Sequence, residues 1–139
     1  MSHVFIDTWA WYVLADQDDP DHDIAQAAIE ELIERNVRLL ITNFVVDEAA
    51  TLIRYKLGHE EALEFLRTTD ELVAEEYLTI VQVTKEHEEL AQKIFERYAD
   101  VEFSYTDCVS FVVMQELKVP EVLTSDRHFT IMGFSLVPT

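Results

Sequence analysis

VRLLITNFVVDEAATLIRYKLG, residues Val37 to Gly58, is the stretch whose reading decides the fold. Its opening, VRLLIT, is aliphatic and β-prone, which predicts a strand over Val37–Thr42. Asn43 stands where an N-cap belongs, and Gly58 stands as the stop of a helix reaching Leu57. A strand feeding directly into a helix is the repeating step of an α/β protein, in which helices cover a mostly parallel sheet.

The same alternation extends in both directions. Upstream, His3 to Ile6 is a short apolar run ended by Asp7, and Asp23 to Arg35 carries Ile24, Ala27, Ala28 and Leu32 at helical spacing. Downstream, the pattern predicts a helix from His59 to about Thr69, a strand over Leu78–Val83, and a helix capped by Thr84 that reaches about Ala99. Ser104 is the expected N-cap of a helix over Tyr105–Leu117, whose CVSFVVM run is apolar nearly all round and therefore predicted to be buried on most sides. Pro120 separates it from a short strand, Val122 to Thr124, and Phe134 to Val137 is the last. No repeat, low-complexity tract or linker divides residues 1–139, so one domain is expected.

Apolar residues make up 49% of the chain, and 2 Gly and 3 Pro fit an ordered, helix-rich protein. The lone Cys108 has no internal disulfide partner and no basic neighbour, so it reads as a small buried hydrophobe. The start MSHVFIDTWAW lacks the features of a signal peptide, and the apolar runs are far shorter than the ~20 residues a membrane span needs. A soluble, cytoplasmic protein is expected. The net charge of -18 weighs against a nucleic-acid partner, because binders of phosphate backbones carry a basic footprint. Two effects reduce that weight: cations neutralise acids gathered in a cleft, and binding answers to the local field rather than the total.

In parallel sheets, ligands collect beyond the carboxyl ends of the strands. Asp7 follows the first strand, Asp126 lies two residues past Thr124, and Glu48 sits in the second turn of the helix after the second strand. Asp107, in the first turn of the apolar helix, is placed to reach the same edge. Helical geometry favours Glu48 over Asp47: Phe44, Val45, Leu52 and Tyr55 surround Glu48, whereas Asn43, Thr51 and Arg54 share the face of Asp47. Carboxylates brought together repel by about 4 kcal/mol per close pair at an effective dielectric near 20. Such a cluster needs protonation or a hard divalent cation, and the cation brings phosphodiester hydrolysis within reach.

Structural readings stand beside the functional ones. Asp7 also suits an N-cap of a helix starting at Thr8, Asp107 a capping box with Ser104, and Asp126 a turn through Ser125 and Arg127. Trp9 and Trp11 read as core or dimer contacts rather than a base-stacking platform. His22, His59, His87 and His128 lack metal-ligand spacing, and Glu86, Glu88 and Glu89 read as a solvated helix face.

FIDTWAW (5–11) with the following DDPDH (18–22), TNFVVDEAATLIRYKLGHEEA (42–62), SYTDCVSFVVM (104–114) and VLTSDRHFTIMGF (122–134), in this order, make the whole chain resemble PIN-domain nucleases, especially VapC-like toxin ribonucleases. The resemblance implies a three-layer α/β/α sandwich. It puts Asp7, Glu48, Asp107 and Asp126 at the family's four acidic positions as catalytic and metal-binding residues, with Thr124 and Ser125 in support. It further implies Mg2+ or Mn2+ as cofactor, RNA as substrate, a homodimer, and a small antitoxin as partner in a type II toxin–antitoxin pair. Arg54, Lys56 and Arg127 are the cations expected to steady RNA phosphates, although no basic cluster is present. The alternatives are a non-catalytic PIN-like scaffold, which the acidity favours, and a solitary RNA-processing nuclease. An aspartate-nucleophile phosphohydrolase fits poorly, because Trp9 occupies the place of its second Asp.

Overall fold

Leu39, Leu40 and Ile41 form the middle of a strand buried on both faces, as a central strand between two helical layers requires. The computed structural model describes residues 2–138. In chain order the elements are β1 (His3–Ile6), α1 (Thr8–Ala15), α2 (His22–Glu34), β2 (Arg38–Thr42), α3 (Asn43–Lys56), α4 (His59–Ala74), β3 (Leu78–Val81), α5 (Lys85–Arg97), α6 (Tyr105–Leu117), β4 (Glu121–Leu123), α7 (His128–Ile131) and β5 (Ser135–Val137). The strands form one sheet in the order β3-β2-β1-β4-β5, and every pairing is parallel. This is the expected α/β/α sandwich, with the sheet wholly rather than mostly parallel.

The strand order sets up the site. The chain moves outward from β1 through β2 to β3, then returns to the other side of β1 for β4 and β5. The reversal falls between β1 and β4, and the crevice at such a switch point is where parallel sheets bind ligands. Register is fixed by Phe5 opposite Val122 and Ile6 opposite Leu123, and the Asp7 amide extends the ladder by donating to the Leu123 carbonyl at 3.1 Å. Residues 7 and 124 therefore emerge side by side.

Several boundaries differ from the sequence reading, each for a visible reason. Thr42, not Asn43, caps α3: its extended backbone places Oγ1 to accept from the Val45 amide at 3.2 Å. Asn43 is the first helical residue, and its Oδ1 accepts from the Val83 amide at 2.8 Å, which ends β3 at Val81 instead of Val83. Helix α4 continues past Thr69 to Ala74, because its buried stripe of Ala62, Phe65 and Thr69 runs on at helical spacing to Leu72, which packs against the core. Gly58 separates α3 from α4 with φ +124 and ψ 176, a region essentially reserved for glycine. The short α7 was not foreseen, since four residues carry too little periodicity to read.

Helix α6 has the predicted character: Cys108 through Met114 are buried without interruption. Phe111 at its centre meets Phe103, Phe129 and Phe134 at ring distances of 4.9, 5.0 and 5.9 Å. Trp11 is buried and packs edge-on against Phe65 at 5.6 Å, in agreement with a core role. Among the described residues, no helix is long and apolar enough to cross a membrane.

Candidate functional site

Asp7 is only 5% exposed, yet its side chain makes no cap bond to α1. Asp7 does stand at the N-cap position of α1, but without a side-chain cap bond that position does not account for its burial. Instead its Oδ2 accepts from the hydroxyl of Thr124, itself buried, at 2.8 Å. The same Thr124 oxygen accepts from the Asp126 amide at 3.0 Å. One hydroxyl thus ties the end of β1 to the loop after β4 and sets the spacing of two acids distant in sequence.

Glu48 faces inward and Asp47 is exposed, as helical geometry predicted. The Thr8 hydroxyl, next to Asp7, donates to Glu48 Oε1 at 2.5 Å and anchors α3 to α1. Asp107 does form the capping box with Ser104: Ser104 Oγ accepts from the Asp107 amide at 2.9 Å, and Asp107 Oδ2 accepts from the Ser104 amide at 3.0 Å. The structural role leaves the carboxylate half-buried and facing other acids, so it coexists with a chemical one. Asp126 likewise holds a turn, with Oδ1 accepting from the His128 amide at 2.9 Å.

His128 is the residue that spacing alone discarded. One ligand atom each from Asp107, Asp126 and His128 lie within 4.8 Å of one another, close enough to share an ion. His128 Nδ1 is 3.3 Å from Asp126 Oδ1, and Phe103 meets the imidazole edge-on at 5.6 Å. The available signal was the Asp126-Arg127-His128 triplet at the mouth of the crevice, which becomes legible only once α7 is known to turn the chain back.

Electrostatics tie the rest together. Burial pushes the Asp7 carboxyl up to about 7, and the charges of Asp107 and Glu48 add to the rise against opposing bonds from Thr124 and the Thr8 backbone. Burial also raises Asp107 to about 6, with Asp126 and Glu48 contributing and the Ser104 backbone opposing. Among the described residues, no Lys or Arg forms an ion pair with any of the four acids. Acids held this way without a basic partner suit a divalent cation, and oxygen donors suit Mg2+ or Mn2+. Cys108, raised to about 11 by burial and then by Asp107, is an inert thiol.

The supporting residues divide. Thr124 lies inside the cluster, whereas Ser125 is exposed. Arg127 is exposed beside Asp126, while Arg54 contacts His59 and Lys56 sits 5.3 Å from the Tyr12 ring centre. Of the expected solvated glutamates, Glu86 and Glu89 are exposed, but Glu88 accepts from the Tyr105 hydroxyl at 3.0 Å.

A family model described as PIN domain matches residues 4–135. A VapC ribonuclease of Archaeoglobus fulgidus is 32% identical over 129 residues, covering 91% of this chain and 78% of that protein. The 23S rRNA-specific endonuclease VapC20 of Mycobacterium tuberculosis is 26% identical over 131 residues, covering 94% and 95%. The crystal structure of M. tuberculosis VapC20, described as a Sarcin-Ricin loop cleaving toxin, superposes with a TM-score of 0.81 at 25% identity over 95% of this chain and 96% of that one. VapBC2 from Rickettsia felis, bound to a DNA fragment from its promoter, shares the fold at a TM-score of 0.70 and 13% identity, covering 96% of each chain.

Proposed function

The chain belongs to the PIN domain family, and from that membership and the geometry of its acids we propose that it is a metal-dependent endoribonuclease, the toxin of a type II toxin–antitoxin pair. One observation carries the reading. Asp7 is buried against Asp107 at the switch point with its carboxyl pushed up to about 7, and no basic residue is ion-paired with it among the described residues. Burial of this kind costs free energy that a bound cation offsets.

In this proposal Asp7, Asp107 and Asp126 hold Mg2+ or Mn2+, with Glu48 and His128 completing the set. When bound, the ion supplies charge stabilisation to a phosphodiester and lowers the pKa of nearby water. The protein's own contribution is positioning. Thr124 holds Asp7, the Ser104 box holds Asp107, and Thr8 holds Glu48. Arg127, beside Asp126 in sequence, steadies the RNA backbone, with Arg54 and Lys56 farther along α3. A small antitoxin that covers the acidic cleft is the partner, and a homodimer the working form.

Cleavage of RNA oligonucleotides by purified protein, with and without Mn2+, tests the reading. Activity should require metal, and Asp7→Asn and Asp107→Asn should each cost more than the ~10–100-fold typical of losing a supporting partner. Folded variants with undiminished cleavage would overturn the assignment. The net charge of -18 favours a non-catalytic scaffold as the second reading. Calorimetry with Mn2+ separates the two, since a scaffold has no need of metal at these acids.

A further inference from the structure

Phe95, Tyr98, Val101, Glu102, Phe103 and Ser104 line a cleft of about 480 Å3 between the end of α5 and the start of α6. That volume lies in the range of small-molecule sites, about 300–1,000 Å3. Its walls are aromatic. Tyr98 and Phe103 lie 5.4 Å apart between ring centres, and Phe95, 51% exposed, meets Tyr105 edge-on at 6.1 Å. The cleft shares two residues with the surroundings of the acidic cluster. The Ser104 amide donates to Asp107 Oδ2, and the Phe103 ring meets His128, which groups with Asp107 and Asp126.

We propose that this cleft is a nucleobase subsite that receives a guanine of the RNA strand next to the phosphodiester that is cut. The proposal rests on the nuclease reading above and adds to it a base preference. Phe95 and Tyr98 offer aromatic surface for stacking, an attraction every base can use and one that survives an unfavourable net charge. The net charge of -18 repels phosphates at long range but leaves stacking intact. Glu102, exposed on the wall of the cleft, discriminates. A carboxylate is acceptor-only, and it matches the adjacent N1–H and N2–H donors of guanine. Uracil presents it with one donor between two carbonyls, while adenine and cytosine each present a donor beside an acceptor. Arg97 lies 5.8 Å from the Tyr98 ring centre and supplies a cation at the same rim for the phosphate of the bound nucleotide.

The test titrates guanosine and uridine, both uncharged, into the full chain and follows backbone amide resonances. In parallel, cleavage is mapped on RNA oligonucleotides that carry one guanine in a uracil tract. Guanosine should shift resonances of residues 95–104 more than uridine does, and cuts should fall beside the guanine. Glu102→Gln should lower the preference for guanine over uracil by roughly 5- to 150-fold, the worth of one bidentate contact. Tyr98→Ala should raise KM with little change in kcat. Equal response to the two nucleosides, shifts mapping outside the cleft, or an undiminished preference in Glu102→Gln would each overturn the proposal. Phe95→Ala that turns a dimer into a monomer with base preference intact would give the cleft to a second copy of the chain and overturn it as well. Nucleoside binding needs no cleavage, so guanosine binding without any RNA cleavage defeats the nuclease reading and with it the place of the cleft beside a cut bond, whereas cleavage without base preference defeats the subsite alone.

Discussion

Asp7 is the carboxyl group at which the proposed site sets function against stability. Its folded pKa of about 7 lies above the ordinary aspartate value of 3.8, and burial is the main cause. A raised folded pKa means that the neutral form fits the fold better than the charged one. The associated stability is fully present below pH 3.8 and is lost as pH rises through about 7. The metal-free protein should therefore melt at progressively lower temperature from pH 5 to pH 8, and saturating Mn2+ should flatten that slope. Asp107, raised to about 6, adds to the fall in the same sense. Asp7→Asn keeps an acceptor for Thr124 but carries no charge, so it should stabilise the metal-free protein at pH 8 by up to about 4 kcal/mol while cleavage is lost. Thermal melts of both proteins across this pH range check the prediction, and an unchanged slope in the variant would rule out Asp7 as its source. Thr124→Val probes the neighbouring contact. It removes the donor to Asp7 and the acceptor for the Asp126 amide in a nearly isosteric exchange, and Mn2+ affinity by calorimetry should fall about 10–100-fold.

At the scale of elements, caps aim the site. Ser104 begins α6 and exchanges two hydrogen bonds with Asp107, so a structural device and a chemical group occupy the same residues. Ser104→Ala should cost about 1 kcal/mol in a denaturant titration, as N-cap losses do, while Mn2+ binding should change little, because the backbone amide of residue 104 still donates to Asp107 Oδ2. A variant that loses stability but binds metal unchanged would separate the two roles. Thr42 does the equivalent work for α3, the helix that carries Glu48. Both caps were within reach of sequence reading, but only Ser104 was assigned correctly. Asn43 is the better N-cap by type and Thr42 the better by position. The choice was made by β3, whose loop takes the Asn43 side chain at Val83. His87 shows the same limit. Read as one histidine among several, it is buried, completes a capping box with Thr84, and reaches Glu116 at 2.9 Å across to α6.

For the whole molecule the governing quantity is charge. A net -18 repels a polyanion at long range, so screening should help this protein where it hinders an ordinary nucleic-acid binder. At fixed Mg2+, kcat/KM for an RNA oligonucleotide should rise as monovalent salt goes from about 0.01 M to about 0.15 M, over which the Debye length shrinks from about 30 Å to about 8 Å. A steep fall over the same range would mean that a local basic track outweighs the global charge.

Periodicity and caps are local properties, so the sequence by itself determined the alternation of strand and helix, the buried character of α6, and the inward turn of Glu48 in preference to Asp47. The family motifs carried the four acids, but not what binds them to one another. The tertiary structure alone decided that β1 lies beside β4, which brings Thr124 within 2.8 Å of Asp7 across a separation of 117 residues. It alone moved His128 into the company of Asp107 and Asp126. The physical reason is that these contacts depend on strand order and on a short turn after β4. Neither leaves a periodic trace in the chain, because hydrogen bonding between strands is made by backbone groups that every residue carries alike.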